Sequence, residues 1–282
     1  MVTALAAGGC STPTDNEPPV ATPSLTMART DAAIGAPIEM TYRFVVAPNA
    51  PAFSEDYWVF VHFLDADDEM MWTDDHSPPV PVRQWKPGQT LEYERTMFVP
   101  KFPYVGAVRV ELGLVSLKTG ARLPLSGTAQ GLREYDVASF NLHRQADNLF
   151  VVFKDGWHPT EVAEEGNGIE WQWSKQTATL SFRNPMRDVL FYFQCDQPVA
   201  DLGETQHVEL RIGETVIDTF DLPPGMKELR KLPLTRGQLG NAETVDMTVS
   251  VSKTFVPATI ASLKSSDSRE LGVRVFRAYV QP

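Results

Sequence analysis

Across most of this chain, apolar residues recur at every second position rather than at helical spacing. In the run IEMTYRF, Ile38, Met40, Tyr42 and Phe44 fall on one face, with Glu39, Thr41 and Arg43 on the other. That period matches the alternating side chains of a half-buried β-strand, not the turn of an amphipathic helix. An all-β chain is therefore expected. DYWVFVHFLD is apolar on both faces, which predicts a central strand covered on both sides. The acidic turn DADDE and the run MMWTDDH predict a hairpin return. LEYERTMFV, AVRVELGLV and a last strand near ARLPL follow, with Lys118-Thr119-Gly120 turning the final pair. About six or seven strands in this first stretch predict an immunoglobulin-like β-sandwich.

A second set of strands begins near Leu149: LFVVFKD, IEWQWS, TATLSFRN, DVLFYFQCD, HVELRIG, TVIDTFDL, ELRKLPL, TVDMTVSVS and LGVRVFRAYV. Turn material such as Arg-Asn-Pro, Ile-Gly-Glu-Thr and Leu-Pro-Pro-Gly separates them. About eight or nine antiparallel strands with little helix predict a jelly-roll sandwich. The run PATIASLKSSD reads as a loop or one helical turn. The expected organisation is residues 1–25 as a signal remnant and tether, 26–140 as the immunoglobulin-like sandwich and 141–282 as the jelly roll.

Charge narrows the partners. A net charge of −11 over 282 residues repels phosphate backbones, so nucleic acid is not expected as a partner. Nor does any apolar run reach the roughly 18 to 20 residues of a membrane-spanning helix, so a membrane link is expected only through the N-terminus. There, Leu5-Ala6-Ala7-Gly8-Gly9-Cys10 resembles the lipobox of bacterial lipoproteins, with Ala7 standing where leucine is usual. The resemblance implies lipidation at Cys10 and a place on the periplasmic or cell-surface face of a bacterial membrane. Cys10 is preceded by no basic segment and no full apolar stretch, so the signal is expected to start upstream. The bland alternative is a free thiol in a frayed terminus. The proline-rich stretch from Ser11 to Pro23 suits an extended, solvated tether. Cys195, in VLFYFQC, reads as a small buried core residue.

Two longer resemblances cover most of the chain. VFVHFLDADDEMMWTDDHSPPVPVRQWKPGQTLEY, followed by GLVSLKTGARLPL, resembles a β-sandwich module attached to the extracytoplasmic side of bacterial membrane glycosyltransferases of the dolichyl-phosphate-mannose mannosyltransferase type. GWHPTE and DSRELGV resemble a galactose-binding-like sandwich found in similar settings. The transferase's membrane region and acidic catalytic motif are absent, so the resemblance implies architecture and location and not the transfer reaction.

Chemistry-bearing residues are sparse, and no catalytic residues are assigned. Asp65, Asp67, Asp68, Asp74 and Asp75 could supply the oxygens of a calcium site, although the EF-hand glycine and distal glutamate are missing. A solvated turn explains Asp65 to Asp68 without a metal. His62, inside an apolar strand, reads as structural, and His76, His143, His158 and His207 lack the short spacings of zinc sites. Glu161, Glu164, Glu165 and Glu170 could pair as glycosidase acids but read as solvated loop residues. The tryptophans say more. Trp72 and Trp85 bracket the loop DDHSPPVPVRQ, while Trp157, Trp171 and Trp173 gather at the start of the second domain. Sugar rings stack on exposed aromatic faces while neighbouring polar groups take their hydroxyls. The expected ligand-binding set is therefore Trp72, Asp74, Asp75, His76, Trp85, Trp157 and His158. In DSRELGV, Arg269 has Asp267 or Glu270 as local partners and reads as a structural clasp. The expectation is a non-catalytic, lipid-anchored protein that binds envelope or extracellular carbohydrate without a cofactor. The alternative is an accessory or scaffolding subunit docked on a membrane protein complex.

Overall fold

The computed structural model describes residues 17–129, 131–145, 149–163, 169–199 and 204–281. The chain divides into two units, residues 1–146 and 147–282.

The first unit holds β1 (Ala21–Met27), β2 (Asp31–Ala33), β3 (Pro37–Val46), β4 (Tyr57–Leu64), β5 (Met70–Thr73), β6 (Thr90–Phe98), β7 (Gly106–Ser116) and β8 (Tyr135–His143). They form a three-stranded sheet, β1-β3-β6, and a five-stranded sheet, β2-β8-β7-β4-β5. Neighbours are antiparallel except for β2 on β8. This division of the strands between two sheets is immunoglobulin-like. Alternation does the sorting: Met40, Tyr42 and Phe44 of β3 meet Val59, Val61 and Phe63 of β4 and Val110, Leu112 and Leu114 of β7 in one core.

Three expectations for this unit change. The tether ends earlier than Pro23, because Val20 and Ala21 are buried and residues 21 to 27 pair along β3. Pro23 is tolerated there because β1 is an edge strand, where a missing N–H costs no ladder bond. ARLPL forms only isolated bridges, Val115 to Arg122 and Ala21 to Leu125, and the true last strand is β8, unforeseen because a bulge at Val137 puts Tyr135 and Val137 out of step with Phe140 and Leu142 and breaks the alternation. Because β8 runs to His143, the first unit extends beyond residue 140.

The second unit holds β9 (Val152–Phe153), β10 (Glu161–Val162), β11 (Glu170–Trp173), β12 (Thr177–Arg183), β13 (Val189–Asp196), β14 (Gln206–Ile212), β15 (Thr215–Leu222), β16 (Lys227–Leu234), β17 (Thr244–Val251) and β18 (Arg274–Gln281). Two five-stranded antiparallel sheets, β10-β11-β18-β13-β16 and β15-β14-β17-β12-β9, make a jelly-roll sandwich. Phe191, Phe193 and Cys195 of β13 meet Val208 and Leu210 of β14 and Met247 and Val249 of β17 in its core. Cys195 is a free, fully buried thiol. PATIASLKSSD contains two short 3-10 turns, residues 257–259 and 261–263.

Candidate ligand-binding site

Past the end of β5, Asp74, Asp75 and His76 continue beside β4. The Asp74 N–H donates to the Val61 carbonyl at 3.0 Å, and His76 exchanges two 2.9 Å backbone bonds with Val59. The Asp75 carboxylate accepts the Val61 N–H at 2.9 Å. Beyond Ser77 the chain turns through Pro78 and Pro79 and a 3-10 turn at Val82–Gln84, reaches Trp85 and enters β6. This segment closes one edge of the first sandwich.

A polar network lies beneath it. The Arg95 guanidinium donates to both oxygens of Asp74, at 3.0 and 2.8 Å, and the Tyr42 hydroxyl donates to the same carboxylate at 3.3 Å. His76 Nδ1 lies 2.7 Å from the Asp74 carbonyl oxygen, and Nε2 lies 2.8 Å from the Tyr93 hydroxyl. A carbonyl only accepts, so Nδ1 carries the hydrogen; Nε2 of the neutral ring then accepts from Tyr93. The Tyr93 ring stacks on Tyr42 at 5.3 Å, and His76 meets both rings edge-on. Burial, reinforced by the Asp74 carboxylate, pushes the Tyr42 phenol well up. Burial likewise raises Tyr93 and holds His76 below the ordinary histidine range. The network is thus a neutral histidine and two un-ionised phenols around one Arg–Asp pair.

Above the network lies a pocket of about 220 Å³ lined by Pro78, Pro79, Val80, Trp85, Gln89, Thr90, Leu91, Glu92 and Tyr93. Its walls are the proline, leucine and aromatic side chains; Gln89, Thr90 and Glu92 supply amide, hydroxyl and carboxylate groups. Trp85 is held by its indole N–H, which donates to the Val80 carbonyl at 2.9 Å, and by Phe44, whose ring lies 5.1 Å away. The Gln89 carbonyl oxygen accepts the Lys86 N–H at 3.0 Å, which fixes the side chain while the NH₂ group keeps two donors.

Of the residues expected to bind ligand, Asp74, Asp75, His76 and Trp85 are brought together here, the first three as support behind the pocket; Trp85 lines the pocket but is a core residue, 4% exposed, and not the exposed ring that was expected. Trp72 is buried in the core, stacked on Phe63 at 5.1 Å. Trp157 and His158 lie in the second unit. The Trp157 indole donates to the Thr179 carbonyl, and His158 Nε2 lies 2.8 Å from the Glu270 carbonyl. Arg269 grips both Asp267 and Glu161, so GWHPTE and DSRELGV clasp one another through two contacts. Gly156 before Trp157 has φ +80°, and a β-carbon there would run into the Thr177 carbonyl, so only glycine fits. Trp171 and Trp173 flank the guanidinium of Arg274, which is paired with Asp196. At the end of the second sandwich, a depression of about 270 Å³ is lined by Gln197, Glu204, Thr205, Gln206, Lys253, Thr254 and Phe255. Cys10, Glu164 and Glu165 lie outside the described residues.

Trp58 was not among the tryptophans expected at the surface. Its strand was expected to be covered on both faces, yet Trp58 is 37% exposed, while Phe60 beside it is covered by the Arg122 guanidinium. His62 is half-buried on that same outer face, 3.9 Å from Glu134. Four of the five aspartates of the acidic segment are engaged through their carboxylates: Asp65 accepts two turn N–H groups, Asp68 pairs with Arg109, and Asp74 and Asp75 serve the network. Among the described residues, no three His, Cys, Asp or Glu side chains are grouped to hold a metal ion. No helix among them is long and apolar enough to cross a membrane.

No family model matches the chain, and no curated protein matches it in sequence. Among solved structures, it is similar to the C-terminal family 6 carbohydrate-binding module of the laminarinase LamC from Zobellia galactanivorans, at 12% identity and TM-score 0.28, over 48% of this chain and all (100%) of that one. It is also similar to the tandem family 22 modules of Xyn10C from Paenibacillus barcinonensis, at 11% identity and TM-score 0.26, over 88% of this chain and 79% of that one. Overlaps of this size carry no argument about what the chain binds.

Proposed function

We propose that this chain is a non-catalytic carbohydrate-binding protein, anchored through a lipid on Cys10 at the periplasmic or cell-surface face of a bacterial membrane. The observation that carries the reading is the pocket beside Trp85 and Tyr93. A sugar ring has apolar C–H faces and a girdle of hydroxyls, and this pocket pairs an aromatic and proline wall with an amide, a hydroxyl and a carboxylate. Its volume of about 220 Å³ falls below the range of roughly 300 to 1,000 Å³ that holds drug-sized ligands, which favours one ring of a longer glycan. The wall is fixed before any ligand arrives, because the Arg95–Asp74 pair and the His76–Tyr93 bond hold β6 against the segment after β5. Preorganisation of that kind lowers the cost of binding.

The test is a thermal-shift screen against neutral and acidic oligosaccharides, repeated with Gln89→Ala and Thr90→Ala. Both substitutions lie at the rim and remove no core contact. The reading expects a saturable rise in melting temperature for at least one glycan, weakened about tenfold by Gln89→Ala, the value of one good hydrogen bond. A panel that shifts nothing, or shifts wild type and both variants alike, contradicts it.

A further inference from the structure

We infer that the second unit carries an acidic-sugar site of its own: on the sheet face around Arg274, Lys227 and Arg277 take the carboxylate of a uronic acid while Trp171 and Phe276 meet its ring. That the anion is borne by a sugar rests on the proposed binding function; the anion site itself does not.

The face is built by register. Asp196 of β13 stands opposite Lys227 of β16 and Arg274 of β18, and it alternates with Phe193 and Cys195, which fill the core on the other side. β18 bulges here: Gln194 pairs with Arg277 and Cys195 with Val275, which leaves Phe276 as the extra residue. Bulges re-aim side chains, and this one brings the consecutive residues Phe276 and Arg277 to the face that Gln194 and Asp196 share. Rings and charges then interleave. The Arg274 guanidinium lies 5.1 Å from the Trp171 ring and 5.0 Å from that of Phe276, and the Lys227 ammonium lies 4.1 Å from Phe276.

Charge says what the face would attract. Three cations gather here in a chain of net charge −11, and Arg274 is matched by Asp196, donating to its two oxygens at 2.9 and 2.7 Å. Among the described residues, Lys227 and Arg277 have no carboxylate in ion-pair contact; Arg277 donates to the Phe276 carbonyl, and Lys227 rests on the Phe276 ring. Crowding of its ammonium by neighbouring side chains holds Lys227 below the usual lysine range; Asp196 opposes this, and the charges of Arg274 and Arg277 add to it. Burial likewise lowers Arg277 against the pull of Glu170. Like charges held together repel, so an anion among them is attracted by each. The flanking rings select its kind. Trp171 and Phe276 are partly exposed, and a uronic acid joins its carboxylate to a ring with apolar C–H faces, whereas an acidic side chain of a protein offers no such face.

The test is an NMR titration of the full chain, at low and at physiological salt, with oligogalacturonate, oligomannuronate, the uncharged methyl ester of the first, and oligoglutamate. The inference expects saturable shifts at the Trp171 indole and at the amides around Lys227 and Arg277 with at least one oligouronate, and an affinity that falls as salt rises. The methyl ester should bind about tenfold more weakly. Lys227→Gln and Arg277→Gln should each weaken the oligouronate by about tenfold, the effect of losing one charge-assisted hydrogen bond. If Arg277→Gln does not fold, Lys227→Gln, at an exposed position, still decides. The inference is overturned if both oligouronates leave these groups unmoved, if both variants keep the wild-type affinity, or if oligoglutamate binds as tightly, which would make the face a reader of acidic protein segments. Shifts here with none beside Trp85 for any glycan would leave this site standing and contradict the first pocket alone. Shifts beside Trp85 with none here would do the reverse.

Discussion

Replacing Asp74 by asparagine keeps the side chain's shape and removes its charge, which leaves Arg95 facing a neutral amide. The Asp74 side chain is 12% exposed and that of Arg95 33%, and two hydrogen bonds of 3.0 and 2.8 Å join them. Removing one partner of a fully buried pair costs about 3 to 5 kcal/mol. Here the guanidinium reaches water in part, which reduces the expected cost to about 2 to 3 kcal/mol. For a unit of this size that lowers the melting transition by about 6 to 12 °C. The assay is a thermal melt of wild type, Asp74→Asn, Arg95→Gln and the double variant. Removing both charges leaves nothing uncompensated, so the double variant should cost less than the two singles together, with a coupling of at least about 1.5 kcal/mol. A single-variant loss below about 1 kcal/mol, or additivity within about 0.5 kcal/mol, would refute the claim that this pair braces the pocket.

Gly113→Ala should cost about 1 to 3 kcal/mol of stability in a urea melt, because a β-carbon there meets the Phe60 ring and lies 2.6 Å from the Arg133 carbonyl. Burial pushes the Cys195 thiol far above its ordinary value. In protein whose Cys10 is blocked, no thiol should react with a chromogenic disulfide until denaturant is added, and one should react afterwards.

The fold was largely legible because period-two alternation is local. The inward set of Ile38, Met40, Tyr42 and Phe44 is buried as the pattern requires, and each of the nine strands read after Leu149 forms at least in part. The misses share a physical cause. β1 is built from Ala-Thr-Pro-Ser-Leu-Thr, an edge strand whose burial comes from the sheet it joins and not from its own hydrophobicity. Similarly, β8 stays in place by pairing with both β7 and β2. The site was legible only as a list of residue types. Asp74 and Arg95 are 21 residues apart, and their meeting depends on how β5 and β6 close the sandwich edge. Tyr93 and Gln89, which with Trp85 shape the pocket, carry no local signal, and neither does the exposure of Trp58 against the burial of Trp72 and Trp85.

The measurement that bears most directly on the binding function is a protein-observed NMR titration of the six tryptophan indole N–H groups and the backbone amides with the glycan that raises the melting temperature most. Saturable shifts should centre on the Trp85 indole and on Gln89, Thr90 and Glu92, with the Trp72 and Trp173 indoles unmoved. Shifts confined to the second unit, or none that saturate, would contradict the assignment of this pocket as a carbohydrate site.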